Sequence, residues 1–311
     1  MAEIESLSSV ENTAIVTPFF EIPVLGNFSR EDVVIEDTLE TLFKPPELRR
    51  IIEENWERRN EEASKRGITL VNRPKVLLMN FEQKEQKLRL KLGRSDYKDF
   101  IGTVDSEFSL EHPELVPRLL AVCSVLETSD DYVLINERQN VSRFLNWLGG
   151  LGGDVELDDV DENGQIDPFR AALREASEET RISQQDIETP ESLGFMKGVR
   201  TGVRVMMFRA KTHLTKKEIE EIQQKEGLEE GRSLFIKIVP DEMRKEVLWF
   251  SKIFVVDASA ILTLLGRERF GEEWFQFMLA RLRRRGNVYD SIGLDKRREL
   301  EDKLVERLKR K

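Results

Sequence analysis

With 311 residues, 39% of them hydrophobic, the chain can bury a sizeable core and is long for one small domain, which predicts a main domain with extensions. Its formal net charge of −10 at pH 7 argues against broad nucleic-acid binding, because phosphate backbones attract basic surfaces. A lone cysteine, Cys123, excludes an intrachain disulfide, no apolar run approaches the roughly 18 residues of a membrane span, and the acidic start Met1-Ala2-Glu3-Ile4-Glu5 is unlike a signal peptide, so a soluble cytoplasmic protein is expected.

Residues 1–45 mix short apolar runs, such as Ala14-Ile15-Val16 and Val33-Val34-Ile35, with Pro and Gly, and predict strands at the edge of a small sheet. Pro45-Pro46 then introduces a helix from 47 to about 65, with Leu48, Ile51, Ile52 and Trp56 on one apolar stripe. Strands over 75–80 and 87–92 form a hairpin, and 97–102 is a short helix or turn. Prolines 113 and 117 mark a boundary, after which 118–126 opens the main sheet. Cys123 follows Leu119-Leu120-Ala121-Val122 and reads as a core thiol.

The apolar strand Tyr132-Val133-Leu134-Ile135 leads to a glycine-dense turn, Gly149-Gly150-Leu151-Gly152-Gly153-Asp154-Val155-Glu156. Glycines there let backbone N–H groups approach a phosphate and let the loop adopt positive φ. The stretch 157–165 is an acidic surface loop without the Asp-x-Asp-x-Asp-Gly order of a calcium loop. Asp167 is a good N-cap and Pro168 suits the first turn of the next helix. On that helix Glu175, Glu178 and Glu179 stand at i, i+3 and i+4, while Phe169, Ala172, Leu173 and Ala176 form the packing face. Three crowded carboxylates repel one another unless a cation joins them, and the plain alternative is a solvated charged helix.

Strands follow over 193–196 and 202–210, the latter with Arg204 and Arg209 near its ends. A charged helix over 215–226 precedes a strand over 233–239, and a packing helix over 255–265 closes the sheet. Trp274, Phe275, Phe277, Met278 and Leu282 make an amphipathic helix that ends in the basic run 281–285, and a charged helical tail occupies 294–311. Neither His112 nor His213 has a metal-ligand spacing.

The run Arg174-Glu175-Ala176-Ser177-Glu178-Glu179-Thr180-Arg181-Ile182 resembles the box of the Nudix hydrolases: Gly, five residues, Glu, seven residues, then Arg-Glu-apolar-x-Glu-Glu-x-Gly-apolar. Two departures stand out. Arg181 takes the place of the final Gly, and Gly153 lies 21 positions before Arg174, seven more than the pattern has, with no assured counterpart for its early Glu. From about 50 to about 265 the chain is also similar to an animal-type Nudix subgroup that hydrolyses UDP-glucose and UDP-galactose. The matching features are the helix bearing Trp56, the motif Ser95-Asp96-Tyr97-Lys98-Asp99-Phe100-Ile101-Gly102-Thr103, the stretch Arg138-Gln139-Asn140-Val141, and Gly152-Gly153-Asp154-Val155-Glu156.

The resemblance implies an α/β (α+β) fold: a Nudix α/β/α sandwich around a mixed sheet over 116–270, with a β-rich N-terminal extension over 1–115 and basic C-terminal helices over 271–311. It implies Mg²⁺-dependent hydrolysis, with Mn²⁺ as a possible substitute, of a nucleotide-sugar diphosphate to a nucleoside monophosphate and a sugar 1-phosphate. Glu175, Glu178 and Glu179 would be the metal ligands, Arg174 would orient Glu175, and Glu230, with Glu229 next, would complete the metal shell or act as base. Substrate contacts would come from Gly152, Gly153, Glu156, Arg138, Tyr97 and Lys98, with uridine recognition falling to the N-terminal extension. The partner is a small molecule, with no nucleic acid and no membrane. Hydrolysis of ADP-ribose, coenzyme A or a dinucleotide, a non-catalytic Nudix-fold binding module, and a structural scaffold using the basic C-terminal helices are the alternatives.

Overall fold

The computed structural model describes residues 15–17, 20–65, 67, 69–104, 112, 115–138, 148–198, 203–227, 231–250 and 256–290. Its centre is β6 (Leu120–Glu127), buried along its whole length, as a near-continuous apolar strand covered on both faces must be. Side chains alternate across a strand, so Ala121, Cys123 and Val125 face one layer while Leu120, Val122 and Leu126 face the other. β10 (Arg204–Lys211) runs parallel to β6, with Met206 opposite Val122 and Phe208 opposite Ser124.

Antiparallel neighbours extend this pair. β9 (Glu191–Gly198) flanks β10, β2 (Phe20–Phe28) flanks β9, and the short β1 (Ile15–Val16) lies outermost. On the other side β7 (Tyr132–Arg138) meets β6, with β11 (Gly231–Lys237) and the two-residue β8 (Leu148–Gly149) both against β7. The result is an 8-stranded mixed sheet. One face is covered by α5 (Pro240–Phe250) and α6 (Val256–Asp290) through Met243, Val247, Ile261, Leu265, Phe275 and Met278. The other carries α3 (Pro168–Thr180) and α4 (Lys216–Glu226) through Phe169, Ala172, Ala176 and Ile219. Two helical layers around one mixed sheet make the expected α/β/α sandwich.

A second, 3-stranded sheet is formed by β3 (Val33–Thr41), β5 (Lys87–Asp96) and β4 (Pro74–Lys84), in the order β3-β5-β4. Its Val76, Leu78, Leu88, Leu90 and Leu92 share a single apolar core with Leu120, Val122, Phe195 and Phe208 of the large sheet. The Leu78 N–H donates to the Arg118 carbonyl at 2.8 Å, which fixes β4 against the start of β6. α1 (Pro46–Ser64) and α2 (Tyr97–Thr103) complete this part, with Phe100 and Ile101 packed on Leu119 and Trp56.

Most expected elements are present within a few residues, but of the strands expected at the edge of a small sheet only β3 is there, while Ile15–Val16 edge the 8-stranded sheet. β2 and α5 are additions. β2 buries Phe20, Ile22 and Val24 in alternation, but Pro23 and Gly26 mask the pattern in the sequence. Pro23 falls where the pairing of β2 with β9 is irregular, between Glu21 and Val24, a place in a sheet where proline is tolerated. α6 continues past the expected packing helix into the amphipathic one, with a break at Gly271, whose φ is 85° and ψ is 178°. The tail 291–311, the residues flanking the boundary at 113 and the start of the chain lie outside the described residues. Among the described residues no helix is long and apolar enough to cross a membrane.

Candidate active site on the box helix

The acidic helix, α3, is held at both ends. Asp167 caps it by accepting from the Phe169 N–H at 2.9 Å, and Arg30 pairs with the same carboxylate at 2.8 Å. At the far end Arg181, in the position where the Nudix pattern has Gly, adopts the left-handed conformation itself, with φ 64° and ψ 11°. A non-glycine residue there costs about 1 kcal/mol. The exit is nonetheless fixed, because the Arg181 N–H donates to the Ser177 carbonyl and the Ser177 hydroxyl to the Ile182 carbonyl, both at about the same short range of 2.8 and 2.7 Å. The helix exit therefore survives the substitution of the glycine.

Residues 151–155 run alongside β6 rather than looping freely. Val122 N–H donates to the Gly153 carbonyl at 2.9 Å, Val155 N–H to the Leu120 carbonyl at 2.9 Å, and Ser124 and Leu151 exchange both bonds. None of Gly149, Gly150, Gly152 and Gly153 has positive φ, so the expected left-handed phosphate loop is not what these glycines provide. Close approach is the reason for them. A Cβ on Gly152 would stand 2.1 Å from the Val122 carbonyl oxygen, and one on Gly153 would stand 2.5 Å from Glu175 Oε1. Backbone fills the first space and a carboxylate fills the second.

Glu175 and Glu179 thus converge on the same turn. Successive helical residues advance by about 100°, so position i+4 lies nearer to i than i+3 does, and on the opposite flank. Glu179 accepts from Asn136 Nδ2 at 3.2 Å and from the Gly152 N–H at 3.3 Å. Glu178 falls on the other flank, is 59% exposed, and meets Arg174 Nη1 at 3.2 Å. Arg174 Nη1 also donates to Glu175 Oε1 at 2.8 Å. The three carboxylates are therefore not gathered in one cage: a single guanidinium lies between two of them, and among the described residues no group of three His, Cys, Asp or Glu is arranged to hold a metal ion.

The partner that orients Arg174 escaped the sequence reading. Asp159, only 3% exposed, takes the guanidinium in a two-pronged contact, Nε to Oδ1 at 2.8 Å and Nη2 to Oδ2 at 2.9 Å, and also accepts from the Glu156 N–H at 2.9 Å. It stands six positions after Gly153, where the box pattern has its early Glu. The extra residues follow it, in a surface turn closed by the Val160 and Ile166 bridge with Gly164 at φ 77°. An insertion there lengthens a turn and leaves the arginine's partner in place.

Among the described residues the carboxylates of the site outnumber the two cations that contact them, Arg174 and Lys75. Glu175 is 14% exposed, and burial pushes its pKa up to about 7 despite Arg174, with the Glu178 and Asp154 charges adding to the rise. Arg174, surrounded by carboxylates, has its own pKa raised, the Asp159 hydrogen bonds being the first cause. From outside the box Lys75 of β4 reaches the turn, its Nζ lying 3.1 Å from Glu156 Oε1 and 3.5 Å from Asp154 Oδ2. It also stands 5.9 Å over the ring of Tyr97, which meets Trp56 edge-on at 6.3 Å.

Other expected site residues are placed differently. Lys98 is bonded by Glu53 at 2.5 and 2.7 Å and lines a cavity of about 780 Å³ between α1, α2 and the 41–44 segment, which no residue of the glycine turn or α3 lines. Arg138 ends β7, but its side chain lies outside the described residues, as do Glu229 and Glu230.

No protein-family profile and no curated protein matches the chain. Parts of solved structures are similar to it. The NUDIX domain of Shewanella oneidensis NrtR, complexed with ADP ribose, is 19% identical over 53% of this chain and 97% of that one, with a TM-score of 0.34. The MutT protein from Methanosarcina mazei Go1 is 14% identical over 49% and 96%, with a TM-score of 0.34. A bifunctional NMN adenylyltransferase/ADP ribose pyrophosphatase from Francisella tularensis, complexed with AMP and a Mn ion, is 14% identical over 52% and 46%, with a TM-score of 0.35.

Proposed function

We propose that the chain is a Nudix-type hydrolase that cleaves the diphosphate bond of a nucleoside diphosphate, and that its substrate is a nucleotide sugar, UDP-glucose or UDP-galactose, giving UMP and a sugar 1-phosphate. One observation carries the reading: Glu175, 14% exposed and with its pKa raised by burial despite Arg174, lies against Gly153, with Glu179 one helical turn further along the same glycine segment. Oxygen donors so placed suit Mg²⁺ or Mn²⁺, and the residues present fit that ion chemically. Glu175 and Glu179 would be its ligands on the glycine segment, and Glu178, which faces solvent beside Arg174, would join them only by changing rotamer. A divalent ion bound there supplies charge neutralisation for the diphosphate and a polarised water.

The chain's own groups have separate tasks. In the metal-free protein burial lets Glu175 hold a proton near neutrality, so an ion bound there would displace that proton. Arg174 keeps that carboxylate turned to Gly153, and Asp159 keeps Arg174 in place. Asn136 and the Gly152 N–H orient Glu179. Glu179→Gln is the test: Mg²⁺-dependent turnover of UDP-glucose should disappear while the melting temperature stays nearly unchanged. Retained turnover rejects the assignment, and a substrate panel including ADP-ribose, coenzyme A and a dinucleotide reads the specificity.

A non-catalytic nucleotide-binding module is favoured by one feature, the bridging of Glu175 and Glu178 by Arg174. Calorimetry decides between the two readings. On the hydrolase reading Mg²⁺ binds and hydrolysis follows; on the module reading a nucleotide binds uncleaved.

A further inference from the structure

Lys75 has no counterpart in the box, and it reaches the box from another sheet. Its side chain is 11% exposed, so the ammonium is largely withdrawn from water and held against Glu156 and Asp154. Asp154 is one of the charges that raise Glu175, which places Lys75 one carboxylate away from the proposed chemistry. Two other cations considered for this region are committed elsewhere: Arg174 is forked onto Asp159, and Lys98 is bonded to Glu53. An acidic site that takes an anionic ligand needs a cation on its rim, and Lys75 stands there.

We propose that Lys75 contacts a phosphate of the substrate, so that the N-terminal sheet supplies part of the diphosphate site. This rests on the reading that the site takes a nucleoside diphosphate. Without ligand, Glu156 and Asp154 hold the ammonium in position; with ligand, a phosphate oxygen replaces Glu156, which is 33% exposed and can turn to water. The charge on Lys75 stays paired in both states, so the exchange avoids leaving a buried cation alone. A flexible stem with three donors suits this change of partner, and the shared core of β4 and β6 keeps the position of its Cα fixed.

The experiment titrates UDP with Mg²⁺ into wild type, Lys75→Met, Lys75→Arg and Glu156→Gln by calorimetry, and measures UDP-glucose turnover on the same proteins. Lys75→Met should raise Kd and KM about tenfold with kcat within about threefold, and Lys75→Arg should recover most of the loss. Glu156→Gln should tighten binding, because it removes the competitor for the ammonium. An unchanged Kd in Lys75→Met overturns the inference, and so does a Glu156→Gln variant that weakens binding as much as Lys75→Met, the result expected if the pair were only a strut. Wild type that binds UDP without cleaving any substrate ends the hydrolase reading and leaves the inference to be judged on the Kd values. Wild type that binds no UDP overturns both.

Discussion

Two buried carboxylates in this protein have opposite surroundings. Glu127, at the end of β6 and 2% exposed, lies between Arg209 and Arg269, and Arg209 in turn holds Glu191 and Glu268. That network ties α6 to β6, β9 and β10, and although burial opposes it, the carboxylates, Glu268 first, raise the pKa of Arg209. Glu175 has one arginine, shared with Glu178 and Asp159, and its pKa rises to about 7. Charges that only need to hold a fold together are matched nearby. A buried carboxylate left short of cations beside a glycine segment is the arrangement that a ligand completes.

The largest expected effect breaks the unmatched side. Glu179→Gln should lower kcat about a thousandfold, as a loss of about 4 kcal/mol of charge stabilisation implies, with melting temperature as the control. Adjacent glycines then separate the two kinds of constraint. Gly152→Ala puts a Cβ 2.1 Å from backbone oxygen and should cost about 2–3 kcal/mol in denaturant unfolding. Gly153→Ala meets the end of a side chain at 2.5 Å, so it should displace Glu175 and cut kcat by about a hundredfold with little loss of stability.

Asp159→Asn sharpens the contrast, since it strands Arg174 among groups arranged for a charge. About 3 kcal/mol of stability should go, read by urea titration, together with activity.

The pH dependence has a definite sign. Glu175 has a folded pKa near 7, above the ordinary value of 4.5, so its contribution to stability is fully present below about 4.5 and is lost as pH rises through 7. Metal-free protein should therefore lose about 2–3 kcal/mol between pH 5 and pH 8 from this group, a loss that Glu175→Gln removes and Mg²⁺ offsets. The smallest effect is Arg181→Gly, which relieves the left-handed strain and should stabilise the fold by about 0.5 kcal/mol after the lost Arg181 to Gly227 bond is counted.

Much of the fold can be read in the chain because period and burial coincide. β6 and β10 are apolar through their centres, and α3 announces itself by Asp167, Pro168 and an alanine face. β2 could not be read, since Pro23 and Gly26 interrupt the alternation at the two places where its pairing with β9 is irregular. Within the site, the carboxylate spacing identified Glu175 and Glu179, but which flank of the helix meets the glycine segment is a tertiary fact, and it turned Glu178 outward. Asp159 had a readable signal, its distance from Gly153, hidden by the longer stretch that follows it. Lys75 had none, because its neighbours at 154 and 156 are about eighty residues away.

The most direct measurement is a calorimetric titration of Mg²⁺ into wild type and into the Glu175→Gln/Glu179→Gln double variant, followed by a hydrolysis assay on each. The account predicts ion binding and Mg²⁺-dependent cleavage of a nucleoside diphosphate in the wild type and neither in the variant. Equal Mg²⁺ affinity and equal cleavage in the two proteins contradict it.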